Sequence, residues 1–234
     1  DGMDIIGLPI KMVFIPGIRN YYAENTSLRD IRNIDFMRGE ETQIVGIWDE
    51  FGGTPLNVIV LSSHTKLIHV NSSGQVEASL TTISGQLYEA ILKQTMIGKS
   101  LTPADDEESG RYSFEEVVDI AYSVQQQVGL DRCCMIPRFM QVLLKTDYKE
   151  RNLFLDASIA ADNMNLINEF DTQGYKAERY ILFGQKNRCE IYEYLIHKIY
   201  GENIEITKIY DKNKLRELTV QGAMSIMEAY LRRN

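Results

Sequence analysis

One stretch near the N-terminus combines residue types that could perform acid–base chemistry on an anionic substrate. Residues Arg38 to Gly46 read RGEETQIVG and place an arginine, two adjacent carboxylates, an amide and two glycines at the start of a predicted helix. Carboxylates there lie near the positive end of the helix dipole, and an arginine beside them can hold an anion through two parallel hydrogen bonds. The same residues also fit a simpler interpretation, in which acidic residues complement the dipole on a solvated face. Local chemistry alone favours the simpler interpretation.

A second polar cluster lies at a predicted turn between two strands. Residues Ser62, Ser63, His64, Thr65 and Lys66 supply hydroxyls, backbone N–H groups and a cation, which are the groups that a phosphate-holding loop needs. Serine and threonine are also common turn residues, so an ordinary hairpin stays open as the alternative. No cysteine or carboxylate lies at ligand spacing from His64, and the chain has no G-x-S-x-G motif. These absences argue against a metal site and against a serine hydrolase.

A glycine bend later in the chain could accommodate a nucleotide. Gly184 and Gln185 follow a short predicted strand and precede a helix predicted from Asn187. Glycine at such a junction lets a ligand approach the backbone, although a generic strand-to-helix turn explains the same residues. The acidic run TPADDEESG, from Thr102 to Gly110, is more typical of a solvated loop than of a metal site.

The composition restricts the class of protein. A chain of 234 residues with 44% hydrophobic content can bury the core of one large or two modest domains. A net charge of −8 and a pI near 5.0 argue against nucleic acid or an anionic membrane as the main partner. The chain has no apolar run of membrane-spanning length, and its first residues, DGMDIIGLPI, lack the basic and apolar regions that would predict a signal peptide. Its three cysteines lack metal-ligand spacing, so we expect a cytoplasmic protein with reduced thiols and no metal ligands of its own.

The elements that position these residues are predicted to form an α/β fold with a mixed sheet flanked by helices. Residues 11–15 form a predicted strand, and the segment from there to Asp35 looks irregular. From Arg38 a helical period places Ile44, Ile47 and Trp48 on one apolar stripe, and Gly52-Gly53 ends the helix. Further strands are predicted at 57–61, 66–71, 75–81, 180–183 and 204–209. Further helices are predicted around Leu87 to Ile97, from Ser113, and at 131–144, 150–170, 187–200 and 212–232.

Three local signals refine the predicted helices. Ser113 and Glu116 form a capping box at the start of one helix. Pro137 is expected to interrupt the helix predicted at 131–144. Gly222-Ala223 is a small-residue pair that permits close packing of the last helix.

Four segments of the chain resemble a known family. They are RGEETQIVG at Arg38 to Gly46, SSHTKLIHV at Ser62 to Val70, TTISGQLYEAI at Thr81 to Ile91 and LDASIAADN at Leu155 to Asn163. These segments resemble those of the 2-dehydro-3-deoxygalactonokinase family. Its members are sugar-acid kinases of the actin-like ATPase superfamily, which has a ribonuclease H-like fold. The resemblance runs from about Phe14 to the end of the chain, and RGEETQ is its most specific part.

The resemblance implies a phosphoryl transfer and assigns residues to it. The implied reaction moves the γ-phosphoryl group of ATP, with Mg²⁺, to the terminal hydroxyl of 2-dehydro-3-deoxy-D-galactonate, giving the 6-phosphate in galactonate catabolism. Such transfer needs a carboxylate within hydrogen-bond reach of the attacking hydroxyl. Glu40 aligns with the acid of the related G-D-Q motif, so the resemblance makes it the expected base and Glu41 the second choice. Arg38 would clamp the substrate carboxylate or the moving phosphoryl group. The second phosphate loop would consist of Ser63, His64, Thr65 and Lys66, and Gly184 and Gln185 would lie beside adenosine.

Two departures from the family pattern change what we expect of this chain. Ser62-Ser63 stand where the family has Pro-Gly in P-G-T-H-S-K, so the backbone would approach phosphate less closely. The family's N-terminal D-W-G-T segment, with its Mg²⁺-linked aspartate and first phosphate loop, has no counterpart in this sequence. We therefore expect 1–52 to be the tail of the first, substrate and phosphate domain and 53–234 to be the second, nucleotide-side domain.

This division has two consequences. The chain by itself should be catalytically incomplete. The stripe of Ile44, Ile47 and Trp48 should be exposed, because the sheet that it normally covers would be missing.

Two other functions stay open from the sequence. A non-catalytic sugar-acid-binding or regulatory module could retain the kinase fold; an in-frame D-x-G-T segment encoded upstream of Asp1 would support the kinase, and a start codon at Met3 would support the module. Alternatively, only the fold is shared and the substrate is a different keto acid or sugar.

The expected partners are the sugar acid and ATP, without nucleic acid or membrane. The oligomeric state stays open, with a homodimer as one option.

Overall fold

The structure, a computed structural model, describes residues 3–4, 11–103 and 110–233. The first of these residues form two pairs of short strands. Strand β1 (Met3–Asp4) pairs antiparallel with β2 (Lys11–Met12), and β3 (Ile18–Arg19) pairs with β4 (Phe36–Met37). A 3-10 helix spans Leu28–Asn33. The strand predicted at 11–15 has only two residues, because its partner β1 offers only two. Most of the acidic run lies outside the described residues, at 104–109.

A five-stranded mixed sheet forms the centre of the fold. Its strands are β5 (Leu56–Leu61), β6 (Thr65–Val70), β7 (Val76–Thr82), β8 (Arg179–Gly184) and β9 (Glu205–Ile209). They lie in the order β7-β6-β5-β8-β9. The first three form an antiparallel meander, whereas β8 runs parallel to β5 and β9 parallel to β8. The mixed sheet predicted from the sequence is therefore confirmed.

Helices cover both faces of this sheet. They are α1 (Glu40–Phe51), α2 (Ser84–Gln94), α3 (Phe114–Leu144), α4 (Tyr148–Gln173), α5 (Lys186–Tyr200) and α6 (Lys212–Arg233), with a 3-10 helix at Met96–Leu101. Ser113 and Glu116 form the predicted capping box at the start of α3. In the described part of the chain, no helix has both the length and the apolar character that crossing a membrane requires.

The side chains of β5 show how the two faces are filled. Successive side chains of a strand point to opposite sides, and here both sides are buried. Leu56, Val58 and Val60 pack towards α1 and α6. Ile59 and Leu61 pack on the other side, in the cluster formed with α3, α4 and α5. A strand buried on both faces explains the continuous apolar, β-branched run in the sequence.

Helix α1 covers the sheet of this chain, which corrects one expectation. Ile44 is 2% exposed and Ile47 is 0% exposed, and the half-buried Trp48 packs against the same cluster. The expectation that this stripe would be exposed was wrong. Strands of the segment 53–234 supply the apolar face that the helix needs, so no additional sheet is required to cover it.

Helices α1 and α6 cross at two glycines. A Cβ atom added at Gly46 would lie 1.9 Å from the carbonyl oxygen of Leu218, and one at Gly222 would lie 1.8 Å from the carbonyl oxygen of Thr42. Both distances are far below van der Waals contact, so side chains at these positions would force the helices apart. The close packing predicted from Gly222-Ala223 is found at this crossing.

Helix α3 has its break at a glycine and not at its proline. Gly129 has φ 79° and ψ 166°, outside the helical region, whereas Pro137 lies buried within the helical run. The predicted interruption at Pro137 was therefore wrong. A proline removes one backbone hydrogen bond, and here the packing of α3 along α4 holds the helix together around it. Glycine reaches positive φ at little cost, so the chain changes direction at Gly129.

One side chain fastens the N-terminal segment to the outer strand β7. The Nδ2 of Asn20 donates to the carbonyl oxygen of Ser79 at 2.8 Å, and the N–H of Ser79 donates to Oδ1 of Asn20 at 2.8 Å. The amide of Asn20 thus satisfies both backbone groups that Ser79 turns away from β6.

Candidate active site

Three segments that the sequence singled out meet at one edge of the sheet. Leu61 pairs with Thr65 of β6 and with Gly184 of β8, so the hairpin tip at 62–64 and the turn at Gly184 lie side by side. The parallel strands β5, β8 and β9 all end at this edge, which is where α/β sheets usually bind ligands. A Cβ atom at Gly184 would lie 2.1 Å from the carbonyl oxygen of Leu61, so this position requires glycine.

Glu40 faces a cavity of about 420 Å³ at this edge, on the side of α1 and α6. Gln43, Ser62, Gly184 and Arg216 also line it. The Oε2 of Glu40 and the Oε1 of Gln43 are buried, and neither has a hydrogen-bond partner within the described ranges. Burying a carboxylate or amide oxygen without a donor is costly, so these two atoms are suited to receive hydrogen bonds from a ligand.

Glu41 and Arg38 have environments that differ from that of Glu40. The backbone N–H of Gly39 donates to Oε2 of Glu41 at 2.6 Å, so this carboxylate folds back on the start of its own helix. That arrangement is the dipole-complementing role of the simpler interpretation. The guanidinium of Arg38 is exposed and makes no hydrogen bond or ion pair with the residues that the structure describes. It is available to an anion.

The hairpin tip presents only some of its predicted phosphate-binding groups. Ser62 and Ser63 are exposed, and Nδ1 of His64 lies 3.3 Å from Oγ of Ser63. Thr65 and Lys66 leave the tip towards opposite faces of the sheet, because strand side chains alternate.

Lys66 lies on the α1 and α6 face of the sheet, where its amine is bound to groups of the protein. It is 7% exposed, and its Nζ donates to the carbonyl oxygen of Phe36 at 3.2 Å and to Oγ1 of Thr81 at 2.9 Å. Thr65 is fully buried on the other face, against Tyr192. The structure thus brings Ser63 and His64 beside Gly184, and it does not bring Thr65 and Lys66 there in the same way. The roles predicted for these residues stay predictions.

The sequence did not identify two residues that support this tip: Arg188, which contacts it, and Asp156, which contacts Arg188. Nη1 of Arg188 donates to the carbonyl oxygen of Ser62 at 2.9 Å, and its Nε donates to Oδ1 of Asp156 at 3.2 Å. The N–H of Gln86, at the start of α2, donates to the carbonyl oxygen of Ser63 at 2.8 Å. Burial raises the pKa of Asp156 above its ordinary value, and the neighbouring guanidinium acts in the opposite direction.

The sequence carried a signal for both residues. Asp156 lies inside the family-like segment LDASIAADN, and Arg188 lies in the first turn of α5. A cation in the first turn opposes the helix dipole, so an arginine there indicates a specific partner. That partner is distant in sequence, which is why spacing alone does not reveal it.

A second cavity, of about 650 Å³, lies on the opposite side of the tip, between α2, α4 and α5. Tyr88, Asn152, Asp156 and Asn187 contribute to its lining, together with Leu92 and Leu153. Burial, with a smaller contribution from the charge of Asp156, raises the pKa of Tyr88 to about 12, so its hydroxyl is protonated at neutral pH and donates to Asn152. Apolar side chains combined with a few polar groups are typical of small-molecule sites in general. Within the described ranges, no group of three or more His, Cys, Asp and Glu side chains is placed to hold a metal ion.

Comparisons with known proteins agree with the resemblance. A family model described as 2-keto-3-deoxy-galactonokinase matches residues 6–219. The protein named "Probable 2-dehydro-3-deoxygalactonokinase DgoK1" of Rhizobium meliloti (strain 1021) is 31% identical over 90 residues, which are 38% of this chain and only 29% of that protein.

A solved structure extends the likeness to the fold. A crystal structure of a Sinorhizobium meliloti protein assigned as a 2-dehydro-3-deoxygalactonokinase matches with a TM-score of 0.68 at 19% identity, covering 96% of this chain and 69% of that one. At this identity the likeness concerns the fold alone. The family model, in contrast, covers most of the sequence. The chain therefore belongs to the 2-keto-3-deoxy-galactonokinase family.

Proposed function

We propose that the intact protein transfers the γ-phosphoryl group of ATP to the terminal hydroxyl of 2-dehydro-3-deoxy-D-galactonate, forming the 6-phosphate in galactonate catabolism. The observation that carries this proposal is the buried, unpaired Oε2 of Glu40 in the cavity beside the hairpin tip and Gly184, in a chain of this family. The regulatory module considered from the sequence is not favoured, because the family and the relatives are named as kinases.

Glu40 is the proposed catalytic base. Its Oε2 would accept the proton of the attacking hydroxyl while the oxygen–phosphorus bond forms and the bond to the bridging oxygen of ADP breaks. Gln43 lies three residues further along the same helix face, and its free Oε1 would accept a second substrate hydroxyl. The exposed Arg38 would hold the substrate carboxylate or the moving phosphoryl group.

The two cavities suggest how ATP would lie across the sheet edge. The nucleoside would occupy the cavity beside Tyr88 and Asn187, and the phosphates would pass the tip and the Gly184–Gln185 turn towards Glu40. This path ends in the cavity where the acceptor hydroxyl would meet the base. The predicted phosphate contacts of Ser63 and His64 fall on it, whereas those of Thr65 and Lys66 would require the tip to move.

Mg²⁺ is proposed as the cofactor because phosphoryl transfer usually employs it to neutralise developing charge. The described residues include no cluster of three or more ligating side chains, and Mg²⁺ in such enzymes is held mainly by substrate phosphates, water and one or two carboxylates. The aspartate linked to Mg²⁺ in the family pattern belongs to the D-W-G-T segment, which has no counterpart in this sequence. The sugar acid and ATP are the proposed partners, and the cytoplasm is the proposed location. A homodimer is one option for the oligomeric state, which light scattering would test.

A coupled assay for ADP release tests the proposal. With the intact protein, 2-dehydro-3-deoxygalactonate and Mg·ATP should give steady ADP release, and Glu40→Gln should lower kcat by about 10²- to 10⁴-fold, the range that a lost general base produces. The substitution keeps the shape of the side chain but removes its negative charge and its basicity, and it replaces one acceptor oxygen with an NH₂ donor.

Glu41→Gln is the matched comparison. Its amide oxygen can still accept from the N–H of Gly39, so any loss of kcat reports on basicity at that carboxylate. If Glu40→Gln retains full turnover and Glu41→Gln loses it, the base is Glu41. If the unsubstituted protein turns over no sugar acid in a substrate panel, the kinase proposal is wrong.

A further inference from the structure

We infer that Arg188 and Asp156 are positioning residues, which hold the hairpin tip in the shape that receives phosphate and connect it to the nucleoside cavity. This inference rests on the proposed function, since it assumes that ATP phosphates lie at the tip. Neither residue would touch the reacting atoms. They act through the backbone of the loop that does.

The contacts of the tip show how its shape is set. Its carbonyl groups turn inward: that of Ser62 accepts from Arg188 at 2.9 Å, and that of Ser63 accepts from Gln86 at 2.8 Å. The N–H groups of Ser63 and His64 donate to no group in the described part of the chain. Successive backbone N–H groups left without a partner, on a loop whose carbonyl groups are engaged by the protein, are the kind of donors by which a backbone loop binds anions.

The cost of burying Arg188 indicates that its contacts are specific. The residue is 7% exposed, and it lies in the first turn of α5, where the helix dipole disfavours a cation. Desolvation of a guanidinium is offset only by good hydrogen bonds, which the carboxylate of Asp156 and the carbonyl of Ser62 provide. Both partners come from other elements, so Arg188 joins three parts of the site.

Asp156 connects the contact between Arg188 and the tip to the second cavity. It forms part of the wall of the 650 Å³ cavity, and the guanidinium of Arg188 lies 5.8 Å from the centre of the Tyr88 ring in the same wall. The two residues therefore lie where the hairpin tip and the second cavity adjoin, and their hydrogen bonds are directed to the tip.

Equilibrium binding to the full chain tests this role, with ATP and adenosine as probes in the presence of Mg²⁺. Arg188→Gln should raise the Kd for ATP about tenfold, the effect expected when one hydrogen bond from a charged donor is lost. The Kd for adenosine should change less than about threefold, because adenosine makes no phosphate contact. Arg188→Lys should give an intermediate Kd for ATP, since lysine keeps the charge but not the fork that reaches both partners.

Two further variants complete the design. Asp156→Asn should also weaken ATP more than adenosine, because it removes the charge that orients Arg188. Lys198→Gln removes a positive charge from the same helix at an ion pair with Asp119, away from the tip, and should leave both Kd values unchanged. If the neutral Arg188 variant fails to fold, judged by circular dichroism, Arg188→Lys and Asp156→Asn supply the same comparison.

The outcomes separate this inference from the function on which it rests. An equal loss of ATP and adenosine affinity in Arg188→Gln would show a merely structural residue, and unchanged ATP affinity would show no role at the tip. Either result overturns the inference while leaving the nucleotide site intact. Absence of ATP binding by the unsubstituted protein would overturn the proposed nucleotide site, and the inference with it.

Discussion

Glu40 and Glu41 are neighbours in sequence with different surroundings. Consecutive residues of a helix point about 100° apart, so one carboxylate can face a cavity while the next folds back on the helix start. Glu41 accepts the N–H of Gly39, whereas Glu40 has an oxygen in the cavity that meets no donor among the residues that the structure describes. The two carboxylates therefore differ in their surroundings: Glu41 caps its own helix and Glu40 faces the cavity, a difference that the sequence could not assign.

His69 predicts how the stability of the fold depends on pH. It is buried on β6, where Nδ1 contacts Oδ1 of Asn57 at 2.8 Å, the ring lies 5.3 Å from that of Tyr175, and Nε2 lies 3.7 Å from Glu77. Burial lowers the pKa of His69 below 6.5, and the weaker effect of Glu77 only partly opposes this.

The sign of the pH effect follows from that shift. Below pH 6.5 the unfolded chain binds a proton that the folded chain resists, so the free energy of unfolding should fall as the pH drops from 6.5 towards the lowered pKa. One such group contributes at most about 1.4 kcal/mol per pH unit. Urea unfolding between pH 5 and 7 should show a shallower decline for His69→Gln than for the unsubstituted chain. Identical slopes would contradict the prediction.

At the crossing of α1 and α6, we expect a glycine-to-alanine substitution to lower the stability of the fold, which is the opposite of its usual effect in a helix. Glycine to alanine inside a helix ordinarily stabilises it by about 1 kcal/mol through propensity. At Gly222 the added methyl would lie 1.8 Å from the carbonyl oxygen of Thr42, so the helices would have to separate. We expect Gly222→Ala to destabilise the chain by about 1–3 kcal/mol, the usual cost of overpacking. Thermal unfolding measures it, and a gain in stability would show that the helices accommodate the methyl.

Helix α3 shows why the ends and breaks of elements are hard to predict. Proline is the strongest local signal against a helix, yet Pro137 lies within one, and the break occurs at Gly129. The break at Gly129 agrees with the prediction of one helix from Ser113 and another at 131–144. The continuation of the helix through Pro137 depends on the packing of α3 against α4, which local propensity does not reveal. The capping box at Ser113 and Glu116, in contrast, involves only four consecutive residues and was predictable.

The packing of α1 makes a prediction about the whole molecule. The sequence assigned 53–234 to the second domain; if this domain were independent of 1–52, the chain lacking residues 1–52 should fold and stay soluble. The structure places Ile44 and Ile47 of α1 on the apolar face of the sheet, at Val58 and Ile68. We therefore expect the shortened chain to expose that face and to aggregate, which light scattering and dye binding would detect. A soluble, monomeric shortened chain with a cooperative unfolding transition would show that α1 is dispensable.

The mixed sheet and its surrounding helices could be predicted from the sequence, because their signals are periodic and extend over many residues. The candidate site could be predicted only in part. Strand alternation sends Thr65 and Lys66 to opposite faces, and this required the exact start of β6. The Arg188 and Asp156 pair required knowledge of which helices pack together, since the two residues are 32 positions apart. Local patterns thus located the loops of the site, and tertiary contacts determine which side chains meet there.

The bond between Asn20 and Ser79 has a consequence for how this protein behaves at high concentration. An outer strand with free N–H and C=O groups is a template on which another molecule can add a strand, the first step towards fibrils. Asn20 occupies both groups of Ser79 in the middle of β7, so an incoming strand would have to displace it first. At the other border of the sheet, β9 carries the charged Glu205 and Lys208, which discourage the same addition. One amide side chain from an irregular segment thereby protects the sheet against self-association.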